Sequence, residues 1–429
     1  MLWHFFTGGF MKLKTINDGN TLYQLIQTNQ FKTIHIQVRF IDKIDKSTVT
    51  ARSIMLNMLK AKNQQYTTRK ALSKAFGSLY DMGFYAHASK IGVQHLNQLS
   101  FHCVNPSMIS DPHYLDSVFS MIETVIHRPL FDAQTLKEEK QFLKDYFAAE
   151  YTNKTRYAAK RYQTHLFQEH PYNIHAWGIE EAIDDVTMDD IINAYQTMIN
   201  NNGVIVSIVG DSIDETILTK LKDRLHVNAI SLPKTYLYKH QYQPIQAVKE
   251  TMQVTQDRLF MTLDTQSFYG ESDYYTAIIF NTLLGDSSDS LLFKRVRESL
   301  SLAYYIGSSY SPFSGIITIT SGMRASNIDQ AKAEIIKQLD ALQVGDFDIS
   351  KLALAKTNLV TNLKISYDNP NSLASKAVQH SLLNSVFNEQ EVIERISKVT
   401  AEDITAFAKK SKFIFTYVLG SDTDENLRI

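Results

Sequence analysis

The sequence predicts an α+β protein of two homologous halves, each a mainly antiparallel sheet with helices packed on one face. Three observations predict it. The phrase Ile183-x-x-Val186-Thr187-x-Asp189-Asp190-Ile191 returns as Ile396-x-x-Val399-Thr400-x-Glu402-Asp403-Ile404, an offset of 399 − 186 = 213. A second phrase, Phe131-Asp132-x-x-x-Leu136-x-x-x-Lys140, returns as Phe347-Asp348-x-x-x-Leu352-x-x-x-Lys356, an offset of 347 − 131 = 216. Third, helical stretches alternate with short half-exposed strands without a strict βαβ rhythm, the pattern of helices segregated onto antiparallel sheets. Two unrelated phrases recurring at nearly half of 429 residues point to an internal duplication. The length suits two domains of roughly 200 residues each.

The first clear strand is Thr33–Phe40, where Ile34, Ile36, Val38 and Phe40 alternate with Thr33, His35, Gln37 and Arg39. Leu96–Val104, Val204–Val209, Arg258–Leu263, Gly315–Thr320 and Phe413–Leu419 read as strands on the same grounds. Thr135–Tyr151 and Ile349–Lys364 read as long helices. Thr187 with Asp190, and Thr400 with Asp403, carry the N-cap and N3 chemistry of a capping box. Helix starts use a small vocabulary, so one such box would mean little; the matched Ile-x-x-Val ahead of both is harder to attribute to chance. Each capped helix leads to a buried strand and a Gly turn, Val204–Gly210 and Phe413–Gly420. Between the halves, Ser231–Gln246 holds Pro233 and Pro244 among Tyr and Lys and is the best linker. The expected domains are therefore 11–230, a linker 231–246, and 247–429. Met11-Lys-Leu-Lys opens the first patterned segment, so Met11 is expected to be the biological start.

Composition excludes several functions. Hydrophobic content of 44% and charged content of 21% describe a soluble globular chain. Its 44 basic and 45 acidic residues leave a net charge of −1, with no general drive toward nucleic acid or an anionic membrane. No apolar run approaches the roughly 18 residues that span a bilayer. Met1–Phe10 lacks the basic region and cleavage site of a signal peptide. Cys103 is the single cysteine, which rules out an intrachain disulfide and a cysteine zinc cluster. It shares an alternating face with Leu99 and Phe101, so a buried structural thiol and a cytoplasmic setting are expected. No phosphate loop, G-x-S-x-G elbow or dinucleotide fingerprint occurs.

Asn281-Thr-Leu-Leu-Gly285-Asp, followed by Leu291-Leu-Phe293-Lys-Arg-Val-Arg297-Glu298-Ser-Leu-Ser-Leu302-Ala303-Tyr304-Tyr305, resembles a segment of the pitrilysin/insulinase-type zinc peptidases, the inverzincins. The motif combines a Gly turn, an apolar helix face, an Arg-Glu pair and an Ala-Tyr at fixed spacing. Phe31-Lys32-Thr33 leading into a strand, Glu139-Lys140 opening a helix, and Lys154-Thr-Arg-Tyr157-Ala158-x-x-Arg161 look most like the YmfF-type branch of Gram-positive bacteria. The resemblance covers nearly all of Met11–Gly420. It implies two homologous α+β halves closing like a clamshell around a peptide, and so accounts for the duplication.

Active members of that family carry H-x-x-E-H on the first long helix. Two imidazoles four residues apart grip one zinc, the Glu polarises its water, and a distal Glu completes the site. Aligned on Met58-Leu59, this chain has Ser53, Leu56 and Asn57 at the two His and Glu positions, and Tyr146 at the distal one; Asp145 is one residue off. The chain is therefore expected to hold no metal and no cofactor of its own. His165-Leu-Phe-Gln-Glu169-His170 imitates the motif with one residue too many. On a helix His165 and Glu169 would share a face, while His170 turns away by about 100° ahead of Pro171. His87, His95 and His102 lie on neighbouring strands with no carboxylate spaced to join them.

The resemblance also implies that Arg297 and Tyr304 bind the substrate carbonyl at a zinc site held elsewhere. The plainer reading pairs Arg297 with a carboxylate and packs Tyr304 in the core. Three hypotheses follow. The first is a non-catalytic subunit of a heterodimeric zinc peptidase, giving Arg297 and Tyr304 to an H-x-x-E-H paralogue and its peptide. The second is a peptide-binding or scaffold protein acting without a peptidase. The third is an enzyme using an unfamiliar metal site of its own. The residues leave homo- and heterodimer open.

Overall fold

The computed structural model describes residues 11–240, 242–243 and 247–421. The Met1–Phe10 segment and Pro244 in the expected linker lie outside the described residues. Contacts divide the chain into two compact units. The first runs to Ala149 and adds Ile174–Tyr236 and Ser366–Phe387; the second holds Glu150–Asn173, Leu237–Ile365 and the chain from Asn388. The repeat runs along the chain in two stretches, but the units interleave.

The first unit is built on β1 (Met11–Asp18), β2 (Thr21–Thr28), β3 (Thr33–Lys43), β4 (Gly83–Ile91), β5 (Gln94–Val104) and β6 (Gly203–Gly210). The second is built on β7 (Val248–Thr251), β8 (Asp257–Asp264), β9 (Ala303–Ser311), β10 (Ile316–Met323) and β11 (Lys412–Gly420). Sheet orders are β1-β2-β6-β3-β5-β4 and β7-β11-β8-β10-β9. Without β1 they coincide, down to one parallel pair in each, β2 with β6 and β7 with β11. All other pairs are antiparallel. The fold is α+β.

The helices are α1 (Val49–Leu59), α2 (Arg69–Gly77), α3 (Tyr114–His127), α4 (Ala133–Thr152), α5 (Lys154–Phe167), α6 (Met188–Asn200) and α7 (Glu215–Lys222). They continue as α8 (Tyr274–Leu284), α9 (Ile328–Val344), α10 (Ile349–Tyr367), α11 (Pro370–Leu383), α12 (Glu389–Lys398) and α13 (Ala401–Lys410). Because α4 begins at Ala133, Glu139-Lys140 lies inside it rather than opening it. No helix among the described residues is long and apolar enough to cross a membrane.

The repeated phrases recur because they touch each other. Asp132 and Asp348 accept from the first-turn amides of Thr135 at 3.0 Å and Ser350 at 2.8 Å, starting α4 and α10. Further along, Lys140 Nζ donates to the Asp184 carbonyl at 2.8 Å and Lys356 Nζ to the Ser397 carbonyl at 2.9 Å. Each carbonyl lies three residues before the capping threonine. Both capping boxes form, Thr187 with Asp190 and Thr400 with Asp403. Ile183, Ile191, Ile396 and Ile404 are buried around these joints. One phrase thus pins the other's helix start to the core, in both units.

Each core lies between one sheet face and its helices. Ile34, Ile36, Val38 and Phe40 meet α1 and α3 residues in the first; Leu259, Met261, Ile317 and Ile319 meet α8 and α9 residues in the second. Among the described residues the other face of each sheet also carries a helix, beyond the expected one-sided packing. Val378 of α11 packs with Ile41, Leu96 and Ile205, and Tyr162 of α5 packs with Phe260, Phe415 and Tyr417. Asn369 caps α11 and Asn153 caps α5, again 369 − 153 = 216 apart. The duplicated helices have exchanged sheets.

Candidate functional site

Helix α1 follows the central strand β3 and is buried almost whole, its polar Thr50, Arg52 and Ser53 included. Ser53 and Leu56 are buried and Asn57 is half-buried. Leu56 is part of the first unit's core, and Tyr146 of α4 packs against that same core. The Tyr146 ring lies 4.4 Å from Trp177 and 6.1 Å from His175. Trp177 Nε1 donates to the Ala88 carbonyl at 3.2 Å, which fixes that ring against β4. Gly178 brings its loop over the start of α1: its φ is +117°, and a Cβ there would lie 2.8 Å from the Thr50 Cα. The Thr50 hydroxyl accepts from the Ile179 amide at 3.0 Å. Arg52, also buried, is answered by Asp42 at 2.9 Å.

This donor set does not fit a zinc ion. A hydroxyl, an alkyl chain, an amide and a phenol replace imidazoles and carboxylates. Among the described residues no three His, Cys, Asp or Glu side chains come together to hold a metal. Asp145 is exposed and takes a hydrogen bond from Gln141 at 2.8 Å. The buried carboxylate of α4 is instead Glu139, paired with Arg69 at 2.7 Å. The aromatic wall of Trp177 and His175 was not legible in the sequence; the one signal was a tryptophan two residues after a histidine.

The remaining histidines have local occupations. Helix α5 ends at Phe167, with Gln168 at φ 47°, so His165 and Glu169 do not share a helix face as expected. His165 Nε2 meets Glu250 at 2.8 Å instead. His95, on β5, meets the Ala176 carbonyl at 2.8 Å, and burial pushes its pKa down to about 3. His102 lies 4.9 Å from His35 on β3, and burial lowers its pKa. Burial likewise lowers the pKa of His87 on β4. Cys103 is buried in the core, where desolvation pushes its thiol up to about 12, the opposite of a reactive cysteine.

Arg297 and Tyr304 lie in the second unit. Residues Phe293–Ser299 form a π-helical turn, an irregularity frequent at functional sites. Its other charges are engaged: Lys294 with Glu298 at 2.9 Å and Arg295 with Glu334 at 2.8 Å. Arg297 is exposed, stacks over the Phe293 ring at 4.6 Å, and makes no ion pair among the described residues. Tyr304 is 52% exposed on β9. Neither the carboxylate partner nor the core packing of the plainer reading is present. Both side chains are available to a ligand.

A family model for the peptidase M16 inactive domain matches residues 185–359. The probable inactive metalloprotease YmfF of Bacillus subtilis (strain 168) is 25% identical over 417 residues, 95% of this chain and 97% of its own. The uncharacterized zinc protease YmxG of the same strain is 29% identical over 144 residues, 33% of this chain and 35% of its own. Among solved structures, a conserved protein from Enterococcus faecalis V583 superposes with a TM-score of 0.91 at 25% identity, covering 96% of this chain and 99% of that one.

Proposed function

From the premise that this chain is an inactive member of the pitrilysin/insulinase-type (M16) peptidase family, we propose that it is the non-catalytic subunit of a heterodimeric zinc peptidase. An H-x-x-E-H paralogue would hold the metal. This chain would form part of the peptide chamber and lend Arg297 and Tyr304 to the partner's active site. The observation that carries the reading is the contrast between its two units. The first has filled its zinc positions with Ser53, Leu56 and Asn57, two of them buried. The second keeps an arginine and a tyrosine exposed on irregular backbone, the arginine without a carboxylate partner among the described residues. A cation held without a carboxylate can bind a carbonyl oxygen and its developing negative charge. That one strain carries both a YmfF-like and a YmxG-like relative supports a pairing of this kind.

The test is reconstitution with a paralogue bearing the intact motif. Arg297→Ala is expected to cut turnover of the assembled complex by about 100- to 1000-fold, the scale of losing one oxyanion donor. Assembly and the partner's zinc content stay intact. Full turnover in an assembled Arg297→Ala complex would retire the proposal. A fall in this chain's own stability at unchanged rate per complex would return Arg297 to a structural role.

A further inference from the structure

Tyr304 stands at a break in the β9–β10 ladder. Tyr305 pairs with Gly322 and Ala303 with Met323, and the register shifts between Gly322 and Met323. Tyr304 is therefore the extra residue of a bulge, the device by which a strand re-aims a side chain. The bulge is built in from both strands. Ser301, just upstream, takes the left-handed φ of 51°. Opposite, Gly322 admits the Tyr305 ring: a Cβ there would lie 2.3 Å from a ring carbon.

Arg324 leaves the end of β10 beside this break. Its Nε donates to the Tyr304 hydroxyl at 3.2 Å. Among the described residues the Arg324 side chain makes no other hydrogen bond and no ion pair. Asn327 Nδ2 donates to the Leu302 carbonyl at 2.9 Å, tying the turn after Arg324 to the residue before β9. A phenol oxygen that accepts from a guanidinium keeps its own proton for a different acceptor. Hydrogen bonds in series polarise one another, so that proton becomes a stronger donor.

We infer that Arg324 is a positioning residue that holds the Tyr304 hydroxyl as a donor to the carbonyl oxygen of a bound peptide. The inference rests on reading Tyr304 as a substrate-binding residue. It adds a third member to the exposed set, one that acts through the tyrosine.

The test is a double-mutant cycle in the reconstituted complex, using Tyr304→Phe, Arg324→Gln and the pair. Arg324→Gln is expected to lower kcat about tenfold with little change in KM, the scale of one charge-assisted hydrogen bond. In the Tyr304→Phe background the same change costs nothing further. Arg324→Lys, which keeps a cationic donor, recovers most of the rate, and thermal stability is unmoved throughout. Losses that multiply independently would overturn the inference, as would equal losses for Lys and Gln with a lowered Tm. If Arg297→Ala is silent while Arg324 and Tyr304 remain coupled, the positioning role stands and the Arg297 reading falls. Silence at all three positions overturns both.

Discussion

Helix α11 lies on its sheet through neutral groups. Gln24 Nε2 donates to the Ala377 carbonyl at 2.7 Å and to Ser381 at 2.8 Å, and Gln37 Nε2 donates to Asn371 at 2.6 Å. Beneath them Arg39 is buried with no carboxylate partner among the described residues; it donates to Gln98 at 3.0 Å, to Ser207 at 3.1 Å and to Gln37. Helix α5 lies on its sheet through the Tyr162 hydroxyl, bonded to Thr262 at 2.7 Å and Thr318 at 2.9 Å, and also through charge. Arg161 grips Glu250 of the edge strand β7, and His165 and Tyr417 meet the same carboxylate at 2.8 and 2.9 Å. The helices share an asparagine cap, an offset of 216 and neutral hydrogen bonds to their sheets, but α5 adds an ion-paired carboxylate. Duplication has preserved the backbone and let the chemistry drift. A comparable contrast separates Ser53 and Leu56, buried on α1, from the exposed Arg297 and Tyr304.

Arg39 offers the hardest way to break this comparison. Desolvation lowers its pKa to about 10, so it remains a cation at neutral pH, surrounded by neutral acceptors. Arg39→Ala leaves two buried acceptors, on Gln37 and Ser207, and the half-buried Gln98 without their donor, and opens a cavity. A loss of about 3 kcal/mol is expected, from roughly 1–3 kcal/mol per orphaned group less the relief of unburying a charge. Urea unfolding measures it. A loss under about 1 kcal/mol would show that the amides close on themselves without the arginine.

Acid separates the units more gently. In the first, burial depresses the pKa of His35 to about 4 and of His95 to about 3, and it also lowers His87, His102 and His127. These rings are neutral when folded and protonate near pH 6.5 when unfolded. The unfolded chain therefore binds more protons, and their contribution is lost as pH falls from about 6.5 toward 3. In the second unit His170 is lowered too, but the principal group is Glu250, held at about 2 first by Arg161. Its contribution is present above the unfolded carboxylate pKa and goes as pH falls from about 4.5 toward 2. Desolvation raises Asp264 and Asp286, so they favour this unit as pH drops. Hydrogen exchange at pH 5.5, corrected for intrinsic rates, should find β3 and β5 deprotected before β8 and β11. The reverse order would mean that the histidines do not govern the first unit's stability.

Much of this was legible in the sequence, and the exceptions have physical causes. Six of the eleven described strands were found, because burial on a face leaves an alternating or continuous apolar pattern; β1, β2 and β4 were not read as strands. Strand β9 escaped because Ile306, Gly307, Ser308 and Ser309 carry little alternation, and β7 because it is four residues long. The exchange of α5 and α11 is tertiary; an amphipathic helix does not record which sheet it covers. At the proposed site, Ser53, Leu56 and Asn57 were singled out by aligning Met58-Leu59 to the family motif, and Arg297 and Tyr304 by motif spacing. Arg324 was invisible because only the bulged hairpin brings it back across twenty residues to Tyr304.

The smallest effect tests the duplication itself. Thr187 and Thr400 each accept from the amide three residues on, at 3.2 Å in both cases. Each threonine amide in turn reaches the Asp carboxylate, at 2.8 and 2.9 Å. Geometry this closely matched predicts matched energies. Thr187→Ala and Thr400→Ala should each cost about 1 kcal/mol, the usual worth of an N-cap side chain. In a unit of this size that is about 2–4 °C in Tm. Hydrogen exchange would place each loss in its own helix, α6 or α13, with Lys140 or Lys356 losing its carbonyl anchor as that helix start frays. Costs equal within a few tenths of a kcal/mol would mean the repeated phrase still does one job twice. If Thr400→Ala costs several times more than Thr187→Ala, the second unit depends on its cap in a way the first does not, and the drift seen in the polar chemistry has reached the backbone as well.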